Sequence, residues 1–216
     1  MDIWEYSNKR RKVENKKKIK EDEVEVDYRV NGCVKEGNTS SEDNHIYFYS
    51  EVTKKTVYEL NREIRHVTQK MLDIEKKYNI EAPPIYLHIN SYGGSIFAAM
   101  STVDIIKYNK VPIYSIVEGC AASAATLMSV VAEKRYIRPN SYMLIHQLST
   151  IFWGKMEEFD DEMKNLNKLM DMIKTIYKEH TTIPVRKLND ILKHDLWWDS
   201  SKCIENNLVD EIIREI

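Results

Sequence analysis

Hydrophobic positions along this chain fall into two periods, and the two periods take turns. From Thr53 to Tyr78, Val57, Leu60, Ile64, Val67, Met71 and Ile74 recur every three or four residues, which predicts a helix with one buried face. Pro83-Pro84 stops it. The run from Ile85 to Asn90 then predicts a strand, Ser91 to Ser95 a loop, and Ile96 to Tyr108 a second helix. A strand at 111–117 leads into an apolar segment that ends near Ala132, and Tyr142 to His146 predicts a further strand. Ile46 to Tyr49 opens the series as a short β-prone run, and a helix and strand within Ser201–Ile213 close it. Strands alternating with helices predict an α/β domain with a mostly parallel sheet.

One helical stretch has a different pattern. Between Gly154 and His180, Met156, Phe159, Met163, Leu166, Met170, Ile173 and Tyr177 alternate strictly between spacings of four and three. Such a narrow seam packs against another helix more readily than against a broad sheet. Thr182-Ile183-Pro184 ends it, and a shorter helix from about Val185 to Leu192 precedes Asp195-Leu196-Trp197-Trp198-Asp199.

Before His45 the pattern fails. A basic block (Lys9 to Lys12, then Lys16 to Lys18 with Lys20) meets an acidic one at Glu21–Asp27, and a polar run follows at Glu36–Asn44. Opposite-sign blocks with few apolar residues predict a mobile charged tail over 1–44 and a folded domain over 45–216. The alternation of Val24, Val26, Tyr28 and Val30 allows one short strand there, and the basic block allows a nuclear address or a polyanion-binding patch, a solvated tail being the plainer reading. Composition narrows the partners. The chain has 216 residues, is 43% hydrophobic and 31% charged, and carries a net charge of −2, so nucleic acid is not an expected partner. No apolar run is long enough to span a membrane, and the first residues lack the apolar core of a signal peptide. Three cysteines (Cys33, Cys120, Cys203) are far apart and make no metal or disulfide pattern, which fits a cytoplasmic or other reducing compartment.

Chemistry concentrates at three places. Val117 to Thr126 reads as a buried strand that reaches Gly119, turns, and becomes a helix whose first turn carries Ser123. A hydroxyl there either caps the helix or attacks a substrate beside unpaired backbone N–H groups. Gly93-Gly94 directly after a strand allows backbone conformations that a Cβ forbids, and close approach of a ligand. His146 stands at a strand end, and Asp195 stands beside two tryptophans that could exclude water from a buried carboxylate.

In this order and spacing the segments resemble the proteolytic subunit of the Clp protease, the ClpP family of serine peptidases, from about Ile46 to Ile213. Ile85 to Gly94 is similar to the family's strand and Asn-Ser-x-Gly-Gly loop, and Gly119-x-Ala-Ala-Ser123 to its nucleophile motif. Arg138-Pro139-Asn140-Ser141 with Met143, Ile145, His146 and Gln147 is similar to its Pro-Asn-Ser…Met-Ile-His-Gln segment, and Glu205 with Leu208-Val209-Asp210 to its ending. The resemblance implies a crotonase/ClpP-like α/β fold of repeated β-β-α units with a protruding handle helix at 154–180. It implies a catalytic triad of Ser123, His146 and Asp195, an oxyanion hole from the Gly94 and Ala124 amides, and pairing of an extended peptide along Ser95 and Ile96.

No cofactor or metal is implied. The partners implied are a peptide or unfolded protein and further copies of the chain in stacked heptamers. Residues 1–44 do not match the family's axial loop, so docking to an unfolding ATPase finds no support there. The chain departs from the family at Tyr92 (usually Pro), Ala125 (usually Gly), Leu148–Ile151 (usually a Pro and a glycine pair) and His194 (commonly Arg). The alternative of a catalytically silent ring subunit is disfavoured because all three triad positions are intact. An acyl-CoA hydratase of the wider fold is disfavoured because that chemistry needs acids in place of the Ser–His pair.

Overall fold

A computed structural model describes residues 39–215. The short strand allowed at 24–30, the charged blocks and Cys33 lie outside the described residues. Among the described residues eight strands form one sheet, whose main path runs β1 (Thr39–Glu42), β2 (His45–Phe48), β3 (Ile85–Ser91), β4 (Ile113–Ala122), β5 (Lys134–Ile137) and β8 (Glu211–Ile212). From β2 to β8 every pairing on this path is parallel, and β1 is antiparallel to β2. β6 (Tyr142–Leu144) pairs with the far end of β4, and β7 (Trp198–Asp199) pairs with β6. The helices are α1 (Lys54–Tyr78), α2 (Ile96–Lys107), α3 (Ala124–Val130), α4 (Met156–His180), α5 (Val185–Ile191) and α6 (Ser200–Glu205).

The core follows from the two periods. Val57, Leu60, Ile64, Val67 and Met71 of α1 are buried, together with Ile85, Leu87 and Ile89 on one face of β3. α1 begins at a capping box in which the Thr53 and Thr56 side chains satisfy each other's backbone N–H. It ends at Asn79 in a left-handed conformation. On the other face of the sheet a row of rings runs from Tyr47, stacked on His88, through His45, stacked on Tyr86, to Tyr114 and then Tyr136 by edge-to-face contacts. Beneath them Glu118 receives hydrogen bonds from Tyr49 and Arg138, and lies 3.1 Å from His88. Burial pushes the His88 imidazole below its ordinary range, against the pull of Glu118. Burial alone would raise the Glu118 carboxyl, but the Tyr49 and Arg138 bonds and nearby His88 outweigh it and hold it low.

Three departures from the sequence-based elements matter. The polar run ending at Asn44, read as tail, contains β1: Thr39–Glu42 folds back on β2 through a turn at Asp43, whose φ of 52° is left-handed. The folded domain therefore starts before His45. β4 does not turn at Gly119 but continues to Ala122. Gly119 takes φ 75° in a bulge where two extra residues of β4 face β3, between the pairs Ile89–Val117 and Ser91–Ala121. The seam of α4 divides. Ile173 and Tyr177 are buried against the domain, whereas Met156, Phe159 and Met163 stand exposed on a projecting half. Among the described residues no helix is long and apolar enough to cross a membrane.

Candidate active site

The bulge carries the end of β4 past the body of the sheet and gives it β6 as a neighbour, with Ala122 opposite Leu144. One residue beyond Ala122 is Ser123, and two beyond Leu144 is His146. Ser123 stands between strand and helix rather than in the first turn of α3, and its backbone is unusual. At φ 54° and ψ −124° it occupies a region that side-chain-bearing residues avoid, at a cost of about 1–3 kcal/mol. Its N–H donates to Leu144 O at 2.8 Å, and its C=O accepts from the Thr126 N–H at 3.0 Å and the Thr126 hydroxyl at 2.6 Å. The Ser123 hydroxyl caps nothing in α3. A sharp strand-to-helix turn that presents a half-buried, unused hydroxyl is the geometry of a nucleophile elbow.

The glycine loop closes over this turn. Gly93 has φ 95°, and a Cβ there would fall 2.6 Å from Ala122 O, 2.8 Å from the Ser123 Cβ and 3.1 Å from Ala124 N. Only glycine lets the loop touch the serine so closely. Gly94, at φ 144°, is held by Val52, whose N–H donates to Gly93 O while its C=O accepts from the Ser95 N–H, both at 2.7 Å. These bonds use one edge of the segment, so the Gly94 N–H and C=O face the other. Ala124 is the first residue of α3, and its amide has no partner within the helix. The Ala124 amide thus adjoins Ser123, and the Gly94 amide belongs to the loop that closes over it.

Ser95, within the expected peptide-pairing segment, faces the other way. Its N–H is bound to Val52, its C=O accepts from Ala99, and its hydroxyl accepts from Ala98 N as the cap of α2. Its backbone is already committed, which leaves Gly94 and the first helical residue, Ile96, on the edge that a peptide could approach.

His146 lies just past the end of β6, and the Gln147 N–H donates to Leu192 O at 2.7 Å. That bond ties the histidine segment to the end of α5, from which the chain runs on to Asp195. His146 Nδ1 and Asp195 Oδ1 are 2.9 Å apart. The expectation of a buried carboxylate fails: the Asp195 side chain is 77% exposed and that of His146 25%. The two tryptophans act otherwise. Trp198 is buried in the core, and Trp197 meets the exposed Tyr92 ring edge-on at 6.2 Å, bridging the acid's loop to the glycine loop.

Val52, Leu144, Thr126 and Leu192 hold the site together, yet none was read from the sequence as doing so. Three of them act through backbone groups, which leave no signature. Thr126 leaves one: it is a hydroxyl three residues after Ser123 in an otherwise apolar turn. Among the described residues no cluster of histidine, cysteine and acid side chains could hold a metal ion.

The sequence model of the Clp protease family matches residues 38–216. An ATP-dependent Clp protease proteolytic subunit from Deinococcus radiodurans is 30% identical over 131 residues, 60% of this chain and 64% of that protein. A proteolytic subunit 2 from Treponema denticola is 30% identical over 158 residues, 72% of this chain and 78% of its own length. A solved structure of a ClpP1 mutant from Listeria monocytogenes superposes with a TM-score of 0.69 over 80% of this chain and 92% of that one. At 23% identity this likeness speaks for the fold, which is crotonase-like.

Proposed function

The chain belongs to the Clp protease family, and from that premise we propose that it is an active serine peptidase subunit rather than a silent one. The observation that carries the reading is the Ser123 turn. Its backbone is strained, its hydroxyl does not cap the helix it precedes, and a histidine bonded to a carboxylate lies past the end of the neighbouring strand. Strain without structural return is expected where position matters more than stability.

In this reading Ser123 Oγ attacks the scissile carbonyl, and His146 Nε2 takes the proton and later gives it to the leaving amine. Asp195 accepts the Nδ1–H, fixes the tautomer and stabilises the imidazolium. The Gly94 and Ala124 amides receive the oxyanion, where losing one donor typically costs about 3 kcal/mol. The free edge at Gly94 and Ile96 pairs with the peptide as an added strand, so the backbone of the substrate is bound whatever its side chains. Water resolves the acyl-enzyme by the same steps in reverse, and no nucleotide enters the chemistry. The substrate class is peptides or unfolded protein segments able to lie extended. The projecting half of α4, with Met156, Phe159 and Met163 exposed, is the surface through which copies of the chain would interlock in stacked rings. The test is hydrolysis of a fluorogenic peptide by the full chain and by Ser123→Ala. The variant should lose at least about 10⁴-fold in kcat, and a variant that keeps the wild-type rate would sink the proposal.

A further inference from the structure

The hydrogen bonds around Ser123 extend one step further than the reaction requires. The Thr126 hydroxyl has a single proton, and the Ser123 carbonyl oxygen 2.6 Å away can only accept, so that proton goes to Ser123 O. The second partner of the Thr126 oxygen is the Tyr177 hydroxyl. Since Thr126 has already given its proton, Tyr177 must be the donor. The result is a directed chain, Tyr177 O–H to Thr126 Oγ1–H to Ser123 C=O, in which each bond polarises the next.

Thr126 is fully buried and Tyr177 is 2% exposed, although the latter belongs to the helix whose other half projects from the domain. Burial pushes the Tyr177 phenol well above its ordinary range, so it keeps the proton it must donate. Ser123 needs such help. Its φ and ψ set the direction of its Cβ, which Gly93 crowds from one side, and without the hydroxyl bond its carbonyl is held only by the longer bond from the Thr126 N–H, so the residue can relax out of its strained conformation. Relaxation swings the hydroxyl away from its place.

We propose that Thr126 and Tyr177 are positioning residues for the nucleophile, Tyr177 acting through Thr126 to hold the Ser123 backbone in its reactive conformation. The inference rests on Ser123 being the nucleophile, and goes beyond it by assigning roles to two side chains that touch neither substrate nor reacting atoms.

The test uses the full chain as wild type, Tyr177→Phe, Thr126→Val, Thr126→Ser and the double variant Tyr177→Phe/Thr126→Val. Readouts are kcat and KM on a fluorogenic peptide, the rate of Ser123 phosphonylation by a fluorophosphonate probe, and the melting temperature. Tyr177→Phe keeps the ring and removes only the donor. It should lower kcat and the phosphonylation rate together by about three- to tenfold, the usual reach of one hydrogen bond, with KM unchanged. Thr126→Val should do the same or more, and Thr126→Ser should restore the rate. The double variant should be no slower than Thr126→Val alone, because Tyr177 acts only through that hydroxyl. Wild-type rates in Tyr177→Phe, a slow Thr126→Ser, or losses that multiply in the double variant would each overturn the relay. Should Thr126→Val fail to fold, Tyr177→Phe and Thr126→Ser still decide it. A wild-type chain that takes no label at Ser123 sinks the serine reading and the relay together, whereas a labelled wild type with unimpaired variants sinks the relay alone.

Discussion

Asp195 is the residue whose surroundings most change what a substitution should do. A carboxylate that is 77% exposed is screened by water, so its pull on His146 is weaker than that of a buried acid. Asp195→Asn presents an amide to Nδ1 and favours the wrong tautomer, yet leaves the serine and the oxyanion amides in place. Steady-state kinetics should show kcat reduced by about 10²- to 10⁴-fold with a measurable residue, against essentially complete loss in His146→Ala. Equal rates in Asp195→Asn and wild type would show that the bond does no catalytic work. The three side chains were legible in the sequence through the motifs around them, because each motif fixes a short stretch of backbone. Their support was not. Val52 and Leu144 act through carbonyl and amide groups that every residue owns, and the sequence does not show that the Ser95 N–H donates to Val52.

At the scale of elements, regular stretches were readable and compensated irregularities were not. The three-and-four spacing of α1 reads straight from the chain because its inner face meets one continuous core. β1 did not read as a strand because Thr39–Glu42 has no apolar side to show, and its place comes from the turn at Asp43 and the edge of β2. β4 continues past Gly119 because the bulge absorbs two residues, which a local pattern cannot reveal. The glycine loop tests the site's construction. Gly93→Ala puts a Cβ 2.6 Å from Ala122 O at a φ of 95°, so the loop must lift from Ser123. Circular dichroism should show an intact fold while kcat falls by about 10²-fold or more, as for a lost oxyanion donor. An active Gly93→Ala would contradict the close contact.

The handle helix offers a separate test. Met170 accepts the Leu148 N–H and is part-buried in the chain itself, so charges belong at Met156 and Met163, which are exposed. Met156→Glu with Met163→Glu should leave each chain folded by circular dichroism while analytical ultracentrifugation shows smaller particles than wild type. A double variant that keeps the wild-type particle size would refute the interlocking role.

Over the whole molecule, the polar layer on the aromatic face of the sheet sets the response to acid. His88 is held below its ordinary 6.5, so as pH falls through that value the unfolded chain gains a proton that the folded chain refuses, and stability declines. Burial lowers His180 in the same sense. Glu118, held below its ordinary 4.5, adds stability that is present above that value and lost as pH falls below it. The melting temperature should therefore drop from pH 7 to pH 5 and fall faster below pH 4.5, and His88→Gln should flatten the first part. A profile between pH 7 and 5 that is level in wild type, or unchanged by His88→Gln, would count against the buried neutral histidine.

The proposed peptidase chemistry turns on one hydroxyl held in a strained turn, and that hydroxyl can be probed directly. The full wild-type chain is incubated with a fluorophosphonate probe, digested, and mapped by mass spectrometry while peptide hydrolysis is followed in the same sample. A single adduct should form on Ser123, in step with the loss of hydrolysis, and should be abolished in His146→Ala. Hydrolysis that continues undiminished with Ser123 fully labelled, or a chain that cleaves peptides and leaves Ser123 unmodified, would contradict that chemistry.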